Sequence, residues 1–100
     1  MGLTVTQSED GTEFVIKIEG RFDFHVHAEF RDSYCNLPST TKFVIDLEET
    51  SFMDSSAMGM LLLLREFVGG TDDMIRLINT PADIKKSLSI SNLDKLLCVE

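Results

Sequence analysis

The sequence has few of the features that indicate a nucleic-acid-binding or membrane-bound protein. Its 100 residues include no tryptophan and two prolines, and nine Lys and Arg are outnumbered by seventeen Asp and Glu, which gives a formal net charge of −8. Phosphate backbones and anionic membrane surfaces both attract clustered basic side chains. We therefore expect neither a nucleic acid nor a membrane as a partner, and a basic protein surface suits this charge better.

Cysteines and long apolar runs are scarce as well. Cys35 and Cys98 are too few for a disulfide framework and have no zinc-type spacing, so we expect two reduced thiols in a cytoplasmic protein. The longest uninterrupted apolar run, residues 60–64, is far shorter than the roughly 20 residues of a membrane-spanning helix. The N-terminus does not carry the charged-then-apolar pattern of a secretory signal.

Enzyme motifs are missing too. The chain has no Gly-x-Ser-x-Gly elbow and no glycine-rich phosphate loop before a lysine. His25 and His27 form a His-x-His pair, but no third ligand follows at a motif spacing, so no metal or cofactor is expected. We therefore expect a binding protein rather than an enzyme.

Hydrophobic periodicity predicts an α/β fold with a mixed central β-sheet packed with helices, in one domain over residues 1–100. The predicted strands are residues 3–7, 14–19 (ending at Gly20), 43–47, 74–78 and 98–99. The predicted helices are residues 26–36, 55–68 (stopped by Gly69 and Gly70) and 81–88, with a helical turn at 91–97. The first two strands are expected to form a hairpin, and the third, almost wholly apolar, to be central and buried on both faces.

The most informative run lies where the second predicted helix begins. Asp54, Ser55 and Ser56 stand between an apolar strand and an almost wholly apolar helix. Backbone N–H groups are unpaired at a helix start and the helix dipole is positive there, so an anion is stabilised. The local sequence leaves two interpretations open. These residues either cap the helix, or carry a phosphorylation switch.

Four residues of this helix share one stripe at 100° per residue: Ser56, Gly59, Met60 and Leu63. Gly59 removes a side chain beside the serine, so a partner's backbone could approach closely. Met60 and Leu63 could supply an adaptable apolar contact surface. The alternative is that the whole stripe is core, and the sequence does not decide between them.

The hexapeptide Asp54-Ser55-Ser56-Ala57-Met58-Gly59 after an apolar strand resembles the signature of the STAS family. More narrowly, it resembles the bacterial anti-anti-sigma factors, or anti-sigma factor antagonists. Three further segments resemble the family in the right order: Gly20-Arg21-Phe22-Asp23, residues 75–81 and residues 92–97. Ala57 departs from the pattern because glycine is frequent there, and Ser91-Asn92 stands where a glycine usually precedes Leu-Asp. The resemblance implies a STAS-like fold.

The resemblance also implies a function. Ser56 would be the phosphoacceptor, Asp54 the helix cap, and Asp23 a residue near the recognition surface, although Asp23 also suits a simple turn or N-cap. The unphosphorylated protein would bind an anti-sigma factor with serine-kinase activity and so free the sigma factor. Phosphorylation would end binding, and a PP2C-type serine phosphatase would reset the system. The predicted partner-binding residues are Asp23, Asp54, Ser55, Ser56, Gly59 and Met60.

A second hypothesis needs no phosphorylation. Some STAS domains are docking subunits of transporters or lipid-transfer machinery, and others are scaffolds of signalling complexes. The partner would then be another signalling enzyme or a transporter, and Ser56 would only belong to the helix start. Both hypotheses describe a protein that binds other proteins.

Overall fold

The computed structural model describes residues 2–8, 11–38, 40–69 and 74–100. The strands are β1 Gly2–Gln7, β2 Glu13–Phe22, β3 Lys42–Asp46, β4 Thr50–Met53, β5 Ile75–Ile78 and β6 Cys98–Val99. The helices are α1 His27–Tyr34, α2 Ser55–Phe67 and α3 Ala82–Ile90, with 3-10 turns at Phe24–Val26 and Leu93–Lys95. The predicted fold class, α/β with a mixed sheet packed with helices, is confirmed.

The sheet has the strand order β1-β2-β3-β5-β6, and β4 pairs with β2 outside that path. The hairpin β1–β2 is antiparallel, as predicted, and all the other pairs are parallel. Strand β3 lies between β2 and β5, and its neighbouring residues Val44 and Ile45 are 3% and 0% exposed. Since neighbouring side chains in a strand point to opposite faces, β3 is buried on both faces, as its continuous apolar sequence predicted.

Strand β2 runs past Gly20, where the sequence predicted its end, and that prediction was wrong. Gly20 has a φ of +84°, a conformation that glycine adopts without strain, and the register shifts between Gly20 and Arg21. Residues 13–17 of β2 pair with β3, whereas from Gly20 onward β2 pairs with the unpredicted strand β4, with Phe22 opposite Met53. The ends of β2 and β4 therefore lie side by side, and Asp23 and Asp54 follow paired residues.

The three helices pack onto the sheet around one cluster of buried apolar residues. The ring of Tyr34 in α1 contacts Phe67 of α2 and Phe43 of β3, with centroids 5.1 and 6.0 Å apart. Helix α2 ends before Gly69, whose φ is +87°, as its glycine stop signal predicted; Gly70 lies outside the described residues. In the described part of the chain, every helix is too short or too polar to cross a membrane.

Candidate functional site

Helix α2 begins at the edge of the sheet where β2 and β4 end. Asp54 is its N-cap, with an extended backbone at φ −112° and ψ −175°. Its Oδ1 accepts a hydrogen bond from the Ala57 N–H at 3.1 Å, and its carbonyl accepts one from the Met58 N–H at 3.3 Å. The prediction that Asp54 caps this helix is confirmed. The cap satisfies one backbone donor of the first turn. Its carboxylate also lies where the helix dipole is positive, which is favourable for a negative charge.

The two serines of the first turn differ in exposure. Ser55 is exposed and Ser56 is half-buried, next to the fully buried Ala57. Among the described residues, neither serine hydroxyl has a hydrogen-bond partner, so neither is needed to hold the helix start. An added group on either oxygen would stand at the positive end of the helix dipole.

The outer face of α2 is more apolar than a solvent-facing helix usually is. Gly59, Leu62 and Leu63 are exposed there, and Leu63 retains 54% of its surface. A Cβ atom added to Gly59 would meet nothing within 4 Å. Met60 is only 4% exposed and belongs to the core, so the prediction that it lies on a partner-binding surface is contradicted. The stripe is thus divided, with Met60 inside and Leu63 outside.

Asp23 lies beside this helix start and is only 5% exposed. It is the N-cap of the 3-10 turn after β2: its Oδ1 accepts from the His25 N–H and contacts His25 Nδ1, both at 3.0 Å. Its Oδ2 accepts from Arg21 Nε at 3.1 Å. The backbone hydrogen bond from His25, assisted by Arg21 and the His25 ring, lowers the pKa of Asp23 although desolvation opposes it. Asp23 therefore has the N-cap role that its sequence position suggested, and its buried carboxylate stabilises the 3-10 turn.

Phe24, the residue after Asp23, was not among the residues that the sequence pattern indicated. Phe24 is 67% exposed and stacks on the His27 ring, with centroids 4.8 Å apart and planes 14° from parallel. The sequence did contain a signal for it, because Phe24 is an aromatic residue between the polar residues Asp23 and His25. Phe52 of β4, 39% exposed, lies under the Arg21 guanidinium at 4.3 Å. Two accessible aromatic rings therefore flank the carboxylates at the ends of β2 and β4.

Negative charge collects along the same sheet edge. Asp46 ends β3, and its Oδ1 accepts hydrogen bonds from the Glu48 N–H at 3.0 Å and from Asn79 Nδ2 at 3.2 Å. Glu48 and Glu49 are both exposed in the turn between β3 and β4. These carboxylates follow from the parallel topology, which directs the ends of β2, β3 and β4 to one edge. In the described part of the chain, no group of three or more His, Cys, Asp or Glu side chains is arranged to hold a metal ion.

Comparison with known proteins identifies the family. The family model described as "Mlab, STAS domain" matches residues 5–98. The chain belongs to the STAS-domain family. A STAS-domain containing protein from Pseudomonas aeruginosa (strain UCBPP-PA14) is 45% identical over 97 residues, which cover 96% of each chain.

Solved structures agree on the fold. The phosphorylated form of the Bacillus cell fate determinant SpoIIAA superposes with a TM-score of 0.74 at 20% identity, over 99% of this chain and 91% of that one. The anti-sigma factor antagonist SpoIIAA in its unphosphorylated form superposes with a TM-score of 0.66 at 20% identity, over 95% of this chain and 97% of that one. An anti-sigma-factor antagonist STAS domain from Rhodobacter sphaeroides superposes with a TM-score of 0.59 at 20% identity, over 78% of this chain and 85% of that one. At these identities the likeness concerns the fold.

Proposed function

We propose that this STAS domain is a partner-switching regulator controlled by phosphorylation of Ser56. Its unphosphorylated form binds an anti-sigma factor that has serine-kinase activity, and the sigma factor is thereby released. Phosphorylation of Ser56 ends the binding. This domain supplies the binding surface and the phosphoacceptor, while the kinase supplies ATP and the catalytic groups.

The observation that carries this proposal is the position of Ser56. Its hydroxyl has no described hydrogen-bond partner, it lies in the first turn of α2, and Asp54 already caps the helix. A phosphate could therefore be added without removing a bond that the fold needs. The apolar outer face of α2, which includes Leu62 and Leu63, begins within two turns of this serine. The similarity to SpoIIAA, solved in both phosphorylated and unphosphorylated forms, supports the same reading.

Phosphorylation would change this surface mainly through charge and hydration. A phosphoserine carries about −1.5 to −2 charges at neutral pH. It would stand next to Asp54 and at the sheet edge that already holds Asp46, Glu48 and Glu49. A partner packed against the apolar side chains of α2 would have to desolvate this dianion, which costs more than the unmodified hydroxyl. Binding is then lost without any change of fold.

The cycle needs two further proteins. The kinase transfers the γ-phosphoryl group of ATP to the Ser56 oxygen, so that a phosphorus–oxygen bond to ADP breaks and the serine proton passes to the kinase. A PP2C-type phosphatase hydrolyses the phosphoserine and restores the binding form. Both activities belong to the partners, and this chain supplies the substrate serine and the binding surface.

Binding assays with a purified partner test the proposal. Wild-type protein, Ser56→Ala and Ser56→Glu are used as bait in the native lysate, and the kinase-like protein that is recovered is purified and titrated by calorimetry. We expect Ser56→Ala to bind as tightly as the wild type and to resist phosphorylation with ATP. Stoichiometrically phosphorylated wild type should bind at least about tenfold more weakly, equivalent to about 1.4 kcal/mol.

Ser55→Ala is the matched control, since it removes the adjacent, more exposed hydroxyl. It should still be phosphorylated and should still lose the partner on phosphorylation. Phosphate incorporation into Ser55 instead of Ser56, or equal affinity of the phosphorylated and unmodified proteins, contradicts the proposal.

The second candidate is a docking subunit or scaffold without a switch, and the half-buried position of Ser56 favours it. In that case the partner is another signalling enzyme or a transporter, and the α2 face binds it constitutively. The same titrations separate the two functions, because a constitutive subunit binds Ser56→Ala, Ser56→Glu and the wild type equally.

A further inference from the structure

A pocket of about 300 Å³ opens beside the 3-10 turn, and none of the described residues that line it belongs to α2. It is lined by the first residue of β1, the second half of β2, the 3-10 turn and the first turn of α1. Its lining residues are Gly2, Glu19, Arg21, Asp23, His25, Val26 and Glu29. Most of the exposed lining is apolar even though five of these side chains are polar. Long polar side chains such as Glu and Arg carry aliphatic stems that can contribute apolar surface.

The charges of the pocket do not balance. Arg21 is the one Lys or Arg among the described lining residues, and its Nε is bound by the buried carboxylate of Asp23. Glu19 accepts one hydrogen bond, from the neutral Thr4 hydroxyl at 3.3 Å, and Glu29 has no ion-pair partner among the described residues. With histidine counted as neutral, the described lining residues carry two uncompensated negative charges.

From the shape and the charge of this pocket, we infer that it receives one basic side chain, an arginine or a lysine, of the protein partner. The apolar walls suit the aliphatic stem of such a side chain, and Glu19 and Glu29 suit its cationic head. The volume is at the small end for a ligand site, which is compatible with a single side chain. The net charge of −8 on the whole chain favours the same basic partner.

Arg21 links the pocket to strand β4, because its Nε is bound to Asp23 in the pocket while its guanidinium covers Phe52, the residue paired with it across β2 and β4. The exposed Phe24 lies between two lining residues, so the partner residues that flank the basic side chain would find an apolar contact there. This inference rests on the proposed binding of a protein partner, but it concerns a different part of the surface from the phosphoacceptor.

The test is an amide NMR titration with N-acetyl-arginine amide as the probe. N-acetyl-citrulline amide, which has nearly the same shape and no charge, is the control probe. We expect the arginine probe to produce saturable shifts, with a dissociation constant in the millimolar range, confined to the amides of the 3-10 turn, the start of α1 and the end of β2. Glu19→Gln and Glu29→Gln should each weaken binding about two- to fivefold, the effect of one exposed charge pair.

Two matched variants separate the pocket from general attraction to an acidic protein. Glu48→Gln and Glu66→Gln remove exposed carboxylates outside the pocket and should leave the affinity unchanged. Equal shifts from the citrulline probe, shifts spread over all acidic surfaces, or equal losses in the four variants overturn the inference. No kinase or phosphorylation enters this titration, so its failure would leave the proposed switch at Ser56 untouched, and the reverse also holds.

Discussion

The carboxylate of Asp54 accepts a hydrogen bond from the backbone N–H of Ala57 at 3.1 Å, and this contact sets where α2 begins. Ser55 and Ser56 lie between the two bonded residues, so the cap also determines how both hydroxyls are presented. The strand that leads into this cap, β4, is held by β2, which in turn places the Asp23 turn alongside. The helix start and the turn therefore form one surface.

Replacing Asp54 with alanine should destabilise the protein. The substitution removes the side-chain cap of α2, which typically costs about 0.5–2 kcal/mol. Asp54→Asn keeps an acceptor oxygen and should cost clearly less. Urea denaturation followed by circular dichroism measures both variants. If Asp54→Ala lowered the free energy of unfolding less than Asp54→Asn does, the capping role would be contradicted.

Met60 and Leu63 should respond in opposite ways to truncation. Met60→Ala leaves a cavity in the core and should lower the free energy of unfolding by about 2–5 kcal/mol. Leu63→Ala removes an exposed side chain and should change it by no more than about 0.5 kcal/mol, while weakening partner binding. Chemical denaturation and titration with the purified partner test the pair. Unchanged binding by Leu63→Ala would exclude it from the interface.

Gly59→Ala should stabilise the isolated protein. Glycine in a helix interior is less favourable than alanine by about 0.8–1 kcal/mol, and the added Cβ would meet no atom within 4 Å. If the partner's backbone packs on this residue, the same methyl group should weaken binding. Thermal unfolding measures the change in stability, and titration of the same preparation with the partner measures the change in affinity. Increased stability with unchanged affinity would show that the partner does not approach Gly59 closely.

The ion pair and hydrogen bonds of Asp23 should make its contribution to stability dependent on pH. Its pKa is lowered from the ordinary value of 3.8, so the folded state favours the carboxylate. The resulting stabilisation is present above pH 3.8 and is lost as the pH falls through the lower folded-state pKa. Asp23→Asn should thus be less stable than the wild type at pH 7, and the difference should shrink below pH 3.8. Urea unfolding of both proteins from pH 2.5 to pH 7 measures it, and a constant difference would contradict the expectation.

Much of the helix start was predictable because its signals are local. An aspartate followed by two serines and an apolar run predicts a cap, and two glycines predict the end of the helix. Strand β4 could not be predicted in this way. Its four residues form a strand only because β2 continues beyond Gly20 and offers free backbone groups to pair with, a contact between distant parts of the chain.

The different burial of Met60 and Leu63 could not be predicted from the sequence. They are three residues apart, which separates them by about 60° around a helix, and both are apolar. The sequence by itself determined the elements other than β4, their order, the acidic charge and the capped start of α2, because propensity, capping and charge act between neighbours. The tertiary structure alone decided which side of α2 the sheet covers, that Asp23 is buried and that Phe24 is exposed, because these depend on non-local strand pairing and the packing of helices on one sheet.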